Sequence, residues 1–167
     1  MRRITMLTIG VVALSSMMAP TLRADSPHFI KGPTISFDSA NGDLCVTFKE
    51  AGLGSTPVTY TLTAGTETFT FQCFTKSSNE PQGDPNSVSF SNVSTVTTIT
   101  PHNGQISATI CLVPQQGTAS CQGKGLVLKL LAASYTNDVT FCDSTNNICT
   151  TFEGSFGGTL DKPIIFP

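Results

Sequence analysis

The chain has 167 residues, 39% of them hydrophobic and only 12% charged, with six cysteines and no tryptophan. All three arginines (Arg2, Arg3 and Arg23) precede Asp25, and beyond them six lysines face eleven carboxylates, a formal charge of −5. That balance lacks the clustered cations on which nucleic-acid and anionic-membrane binding rest, so both kinds of partner are excluded at this level.

In "MRRITMLTIGVVALSSMMAPTLRA" (1–24) two arginines precede an apolar run from Ile4 to Leu14 and a small, polar exit. That order predicts a secretory signal peptide cleaved after Ala24, with a membrane anchor as the alternative. Residues 25–167 are then one secreted domain. No later segment approaches the roughly 20 apolar residues of a spanning helix, so no stable membrane insertion is expected after cleavage.

Short alternating segments follow in series. "TISFD" (34–38) opens it, and "DLCVTFK" (43–49) sends Leu44, Val46 and Phe48 to one face. "VTYTLTA" (58–64) and "ETFTFQCF" (67–74) repeat the pattern, and further strands are predicted at 87–100, 105–113, 125–135 with 139–142, and 148–156. Period two with Thr, Val, Phe and Ile marks half-buried strands. In 87–100 the inward parity shifts between Phe90 and Val96, which predicts a bulge or kink. "GLVLKLLAASY" (125–135) reads as a buried strand, with a helix as the alternative. Asn-Gly in "SANGD" (39–43) and "PHNGQ" (101–105) predicts tight turns, whereas "EPQGDPNS" (80–87) and "PQQGTASCQGKG" (114–125) predict longer loops. The whole predicts an all-β, immunoglobulin-like antiparallel sandwich of about 7–9 strands, stapled by disulfides.

Six cysteines behind a leader point to disulfides, because exported chains meet oxidising conditions. No C-x-x-C occurs, and His28 and His102 are the only histidines, so zinc and redox sites lack their usual signature. "FCDSTNNICT" (141–150) places Asp143, Thr145 and Asn147 at alternate positions, as in a calcium loop. Ile148 and Gly154 occupy the positions where that loop needs Gly and Glu. The segment therefore reads as a hairpin with Cys142 opposite Cys149. Cys73 ends a strand before one long loop and Cys121 lies inside another, which pairs them. Cys45–Cys111 follows by exclusion, although strand counting sets these two at different heights.

Catalytic signatures are thin. "GSFGG" (154–158) only resembles the glycines of a nucleophile elbow. His28 lies close behind the expected cleavage site and His102 in a tight turn, so neither suggests a Ser–His–Asp triad. Glu50 and Glu67 are expected near strand ends, which does not make a catalytic carboxylate pair. Tyr60 and Tyr135 are too few for the aromatic platform of a carbohydrate-binding module, and the phenylalanines read as core. "NVS" (92–94) is an N-glycosylation sequon that applies only in a eukaryotic host. No metal or other cofactor is implied.

The runs "VTFKEAGLGSTPVTYTLTA" (46–64), "NGQISATICLVP" (103–114) and "LLAASYTNDVTFCD" (130–143) resemble a group of small secreted bacterial proteins of unassigned function. The short Cys142–Cys149 loop and the sandwich architecture are faintly similar to neocarzinostatin-type chromoprotein carriers, a likeness that implies a ligand cleft.

Alternating strand directions place the turns 39–42, 64–66, 101–104 and 143–147 at one end. The longer segments 50–56, 75–87 and 114–124 collect at the other. Long loops on a rigid scaffold carry recognition, so Leu53, Asn79, Gln82 and Gln116 are the candidate binding residues. The expected function is non-catalytic binding of an unknown extracellular ligand or protein. A small secreted hydrolase and a structural component of a cell surface or extracellular layer are the alternatives.

Overall fold

The computed structural model describes residues 26–166, so the leader and its cleavage bond lie outside the described residues. Nine strands follow in order: β1 (His28–Phe37), β2 (Leu44–Ala51), β3 (Val58–Thr75), β4 (Pro81–Ile99), β5 (Gln105–Leu112), β6 (Leu126–Thr136), β7 (Val139–Asp143), β8 (Ile148–Phe152) and β9 (Phe156–Ile165). No helix occurs among the described residues, and the segment read as 125–135 is strand β6 from Leu126. The fold is an all-β sandwich of two antiparallel sheets, tied by three disulfides.

The smaller sheet runs β1-β2-β5. In the larger one, β3 has β4 along one side and β6 and then β7 end to end along the other. β8 and β9 likewise line up end to end beside β7 and β6. Four long lines of chain therefore make this sheet: β4, β3, β6–β7 and β8–β9.

Lines of this length do not stay straight, and a crease crosses all four. Asn92 of β4, at φ 53°, falls opposite Gly65 of β3. Gly65 in turn faces the bend at Asn137 and Asp138, both at φ 58°, and Gly154 at φ 110° lies in the break between β8 and β9. Asn, Asp and Gly are the residues that enter the left-handed region at least cost, so the chain bends where the sequence permits it. The crease divides the sheet into an upper half, along 58–64 of β3, and a lower half, along 66–75.

Close approach at the crease demands glycine. A Cβ on Gly65 would lie 2.1 Å from the carbonyl oxygen of Asn137, whereas one on Gly158 would meet nothing within 4 Å. Gly65→Ala should therefore destabilise the protein by about 2–3 kcal/mol, and Gly158→Ala should be nearly neutral. Urea unfolding of the two variants checks this, and equal midpoints would remove the steric account.

The core follows the alternation. Leu44, Val46 and Phe48 of β2 face Tyr60, Leu62 and Ala64 of β3 and Phe141 of β7, all at most 1% exposed. Phe48 lies 4.6 Å from Tyr60 and 4.8 Å from Phe141, ring centre to ring centre. All eleven phenylalanines are buried or half-buried. The small sheet reaches the crease, where the buried Tyr135 hydroxyl donates to the Gly42 carbonyl at 2.7 Å. Below it, the 113–125 loop covers the large sheet, with Gly117 so close over Val88 and Phe90 that a Cβ would lie 2.9 and 2.6 Å from their side chains.

Several expectations are corrected. Residues 64–66 continue β3 through the crease and are no turn. Residues 81–87 belong to β4, because an edge strand tolerates Pro81 and Pro85. β1 begins at His28, earlier than expected, and β9 was not expected at all. The ends also differ. Leu53 N–H donates to Gly104 O at 3.1 Å, and Ser144 N–H to Thr59 O at 2.8 Å, so the 52–57, 100–104 and 144–147 segments share the upper end. The 38–43 turn lies instead beside the 113–125 loop, where a Cβ on Gly42 would come within 3.1 Å of Pro114.

Candidate functional site

Three positions were expected to gather with Leu53, and the structure separates them from it. Leu53 lies at the upper end and is only 8% exposed, so it is a core residue and not a recognition residue. Asn79, Gln82 and Gln116 remain around the lower end.

That end is built from the β3–β4 turn and the 113–125 loop. Asn79 takes the left-handed conformation, φ 58°, and its amide donates to Thr75 O at 3.0 Å, closing the turn. Its side-chain carbonyl accepts a hydrogen bond from Lys129 Nζ, which also stands 4.9 Å from the Phe74 ring centre. Gln82 is exposed and sits opposite Cys73 in the β3–β4 register. Gln116 Nε2 donates to Ala119 O at 2.7 Å, folding the loop tip so that Ala119 is buried. Gln116 is thus a scaffold residue, while its neighbours Gln115, Thr118, Ser120 and Gln122 are exposed.

Two ties fix the loop to the turn. Cys73–Cys121 joins β3 to the loop, and Lys76 N–H donates to Gly125 O at 2.8 Å. Cys45–Cys111 spans β2 and β5 at directly opposed positions, Cα to Cα 4.1 Å. The two cysteines therefore share one height; the turn assumed at 64–66 had displaced the strand count. Cys142–Cys149 closes the β7–β8 hairpin, and no cysteine is free.

The hairpin loop uses its own acid. Asp143 Oδ1 accepts the amides of Thr145 and Asn146, both at 2.9 Å, and Oδ2 accepts the Asn146 side chain at 2.6 Å. These bonds spend the carboxylate on turn geometry. No group of three or more metal-ligating side chains occurs among the described residues.

The sequence reading missed three buried acids. Glu50, Glu67 and Asp143 are all 0% exposed. Tyr60 donates its hydroxyl to Glu50 Oε2 at 2.8 Å, while neither oxygen of Glu67 has a hydrogen-bond partner. Burial pushes the Glu50 carboxyl up to about 7; the Tyr60 hydrogen bond opposes this and the nearby Asp143 charge adds to it. Burial alone pushes Glu67 up to about 7. Burial also raises both tyrosine hydroxyls above their ordinary value. Extending the alternation of Leu44, Val46 and Phe48 by one step places Glu50 inward, and Glu67 shares the parity of Phe69 and Phe71. That signal was present in the sequence.

These acids are sealed from solvent, so they offer no surface for a substrate. His28 and His102 are exposed, and His102 closes its turn through reciprocal backbone bonds with Gln105, at 2.9 and 3.1 Å. No pocket opens among the described residues, and both tyrosines are buried. No helix among the described residues is long and apolar enough to cross a membrane. No family model, curated protein or solved structure matches the chain.

Proposed function

We propose that the protein is a secreted, non-catalytic binding module of immunoglobulin-like architecture that presents its lower end to an extracellular partner. Three disulfides and no free cysteine suit an oxidising compartment. The architecture is supported by the chain path: three lines in one sheet, four in the other, with β3 one of the two inner lines of the larger. One observation carries the functional reading. The Cys73–Cys121 bridge holds an exposed, polar 13-residue segment, 113–125, against the β3–β4 turn, so the pair is presented with little freedom left to lose.

Asn79, Gln82 and the exposed loop residues Gln115 and Gln122 form the proposed contact surface. Capture from culture supernatant on immobilised protein tests it. Asn79→Ala with Gln82→Ala should reduce recovery of the captured partner by about tenfold, whereas Ser55→Ala with His102→Ala at the upper end should leave it unchanged. Loss of capture only in the second pair would place recognition at the wrong end. A hydrolytic activity abolished by His28→Ala with His102→Ala would replace this reading with the enzymatic one.

A further inference from the structure

Among the described residues β4 is an outer strand, paired with β3 alone. Its free edge is unusual for lacking protection. Above the irregularity at Asn92, from Val93 to Thr100, there is no proline, glycine or charged residue. Proteins ordinarily guard such an edge with Lys, Pro or a strong irregularity. Two of the other free edges are guarded. β1 carries Lys31, Gly32 and Pro33 with two register shifts. The β8–β9 line carries Glu153, Gly154, Gly157, Asp161, Lys162 and Pro163. β5 is uncharged too, but its outward positions Gln105, Ser107 and Thr109 carry no exposed large hydrophobic residue to match Val96.

The segment above the crease also matches itself. Register with β3 turns Val93, Thr95, Thr97 and Ile99 toward the core and Ser94, Val96 and Thr98 outward. Val96 is 61% exposed, one of four exposed large hydrophobic residues among those described. An antiparallel pairing centred on Val96 sets Val93 opposite Ile99 and Thr95 opposite Thr97 on the core side. Outside, Ser94 meets Thr98, and Val96 meets its own copy. Every position finds a chemically similar partner on the same face, which the period of two requires. Val93 and Ile99 are half-buried and pack on the core, so pairing would cover their remaining exposed surface.

No charge stands on the outward face at this edge. Across it lie Thr59, Thr61, Thr63, Thr66, Thr68 and Thr70 of β3, with Ser87, Ser89, Ser91 and Ser94 of β4. Two chains each carrying net negative charge can therefore approach here without like charges facing each other.

We propose that two copies of this chain pair through Val93–Ile99 of β4, antiparallel about a two-fold axis at Val96, joining two four-line sheets into one of eight. The arrangement is isologous and closes on itself, because each β4 edge is consumed by the other. A seven-residue edge buries little area, so the association is reversible and depends on concentration.

Sedimentation velocity of the purified protein over a concentration series tests the pairing. The expected result is a monomer–dimer equilibrium. Val96→Lys and Val96→Glu should each weaken it by about tenfold or more, since two like charges would meet at the axis. An equimolar mixture of the two variants should restore the dimer, which a misfolded variant could not do. Amide exchange at 93–99 in the wild-type protein should slow as concentration rises. A single-protomer mass at every concentration, a Val96→Lys variant that dimerises like wild type, or a mixture that stays monomeric would each overturn the proposal. So would capture of a foreign strand at this edge by a protein that never self-associates.

Discussion

Serine in place of both Cys73 and Cys121 is expected to lower the unfolding free energy by about 4 kcal/mol. The bridge spans 48 residues, and the entropy lost by the unfolded chain on closing a loop of that size has roughly this value. Cys45–Cys111, spanning 66 residues, should give nearly the same figure, while Cys142–Cys149, spanning 7, should give about 2 kcal/mol. Loss of the first bridge has a further effect, because the 113–125 loop is also the lid over Val88 and Phe90. Freed at Cys121, it exposes lower-half core and loosens the proposed contact surface. Urea unfolding of the three double-serine variants gives the order. If removing Cys142–Cys149 cost as much as removing either long bridge, loop length would not be the governing term.

Stability should also fall as pH rises from about 4.5 to about 7 and level off above that. Glu50 and Glu67 reach about 7 in the folded protein, against 4.5 for the free side chain. The folded state therefore holds these protons more tightly than the unfolded chain does. Their favourable contribution is complete below about pH 4.5 and is lost as pH climbs through 7, with about 3 kcal/mol at stake for each carboxyl. Above that point folding must bury an ionised carboxylate, and Glu67 has no hydrogen-bond partner to offset the cost. Glu67→Gln should accordingly change little at pH 5 and stabilise by about 3 kcal/mol at pH 8.5. Unfolding curves of both proteins at the two pH values decide it. A wild-type profile that is flat, or that rises with pH, would show that these groups do not govern the pH response.

The strand alternation made the all-β sandwich legible, and the hairpin sequence around Asp143 made Cys142–Cys149 legible. Local patterns of that kind are written in neighbouring residues. The kink expected between Phe90 and Val96 appears at Asn92, because a parity change along a strand has no other cheap explanation. What failed was anything that depends on a strand's neighbours. Gly65 looks like a turn in sequence, yet it serves a close approach to Asn137 within a continuous strand. Pro81, Gly83 and Pro85 look like a loop, but the free edge of β4 asks for no hydrogen bonds on that side. β9 was hidden in the same way by Gly157, Gly158 and Pro163. The error at 64–66 then propagated. One false reversal misassigned the ends, put Leu53 among the binding residues, and set Cys45 and Cys111 at different heights.

The crease through the large sheet governs how the molecule can come apart. The left-handed residues Asn92, Asn137 and Gly154 and the close-packed Gly65 fall on a single line, at which the β6–β7 and β8–β9 lines break. Cys142–Cys149 and Cys45–Cys111 lie on the upper side or at its margin, and Cys73–Cys121 on the lower. An opening that starts at the β3–β4 tip thus has a natural stopping place, since continuing upward means breaching the separately cross-linked Phe48, Tyr60 and Phe141 cluster. The lower half is therefore expected to open first, as a leaf on a fold line, with amide exchange faster along 66–75 of β3 than along 58–64.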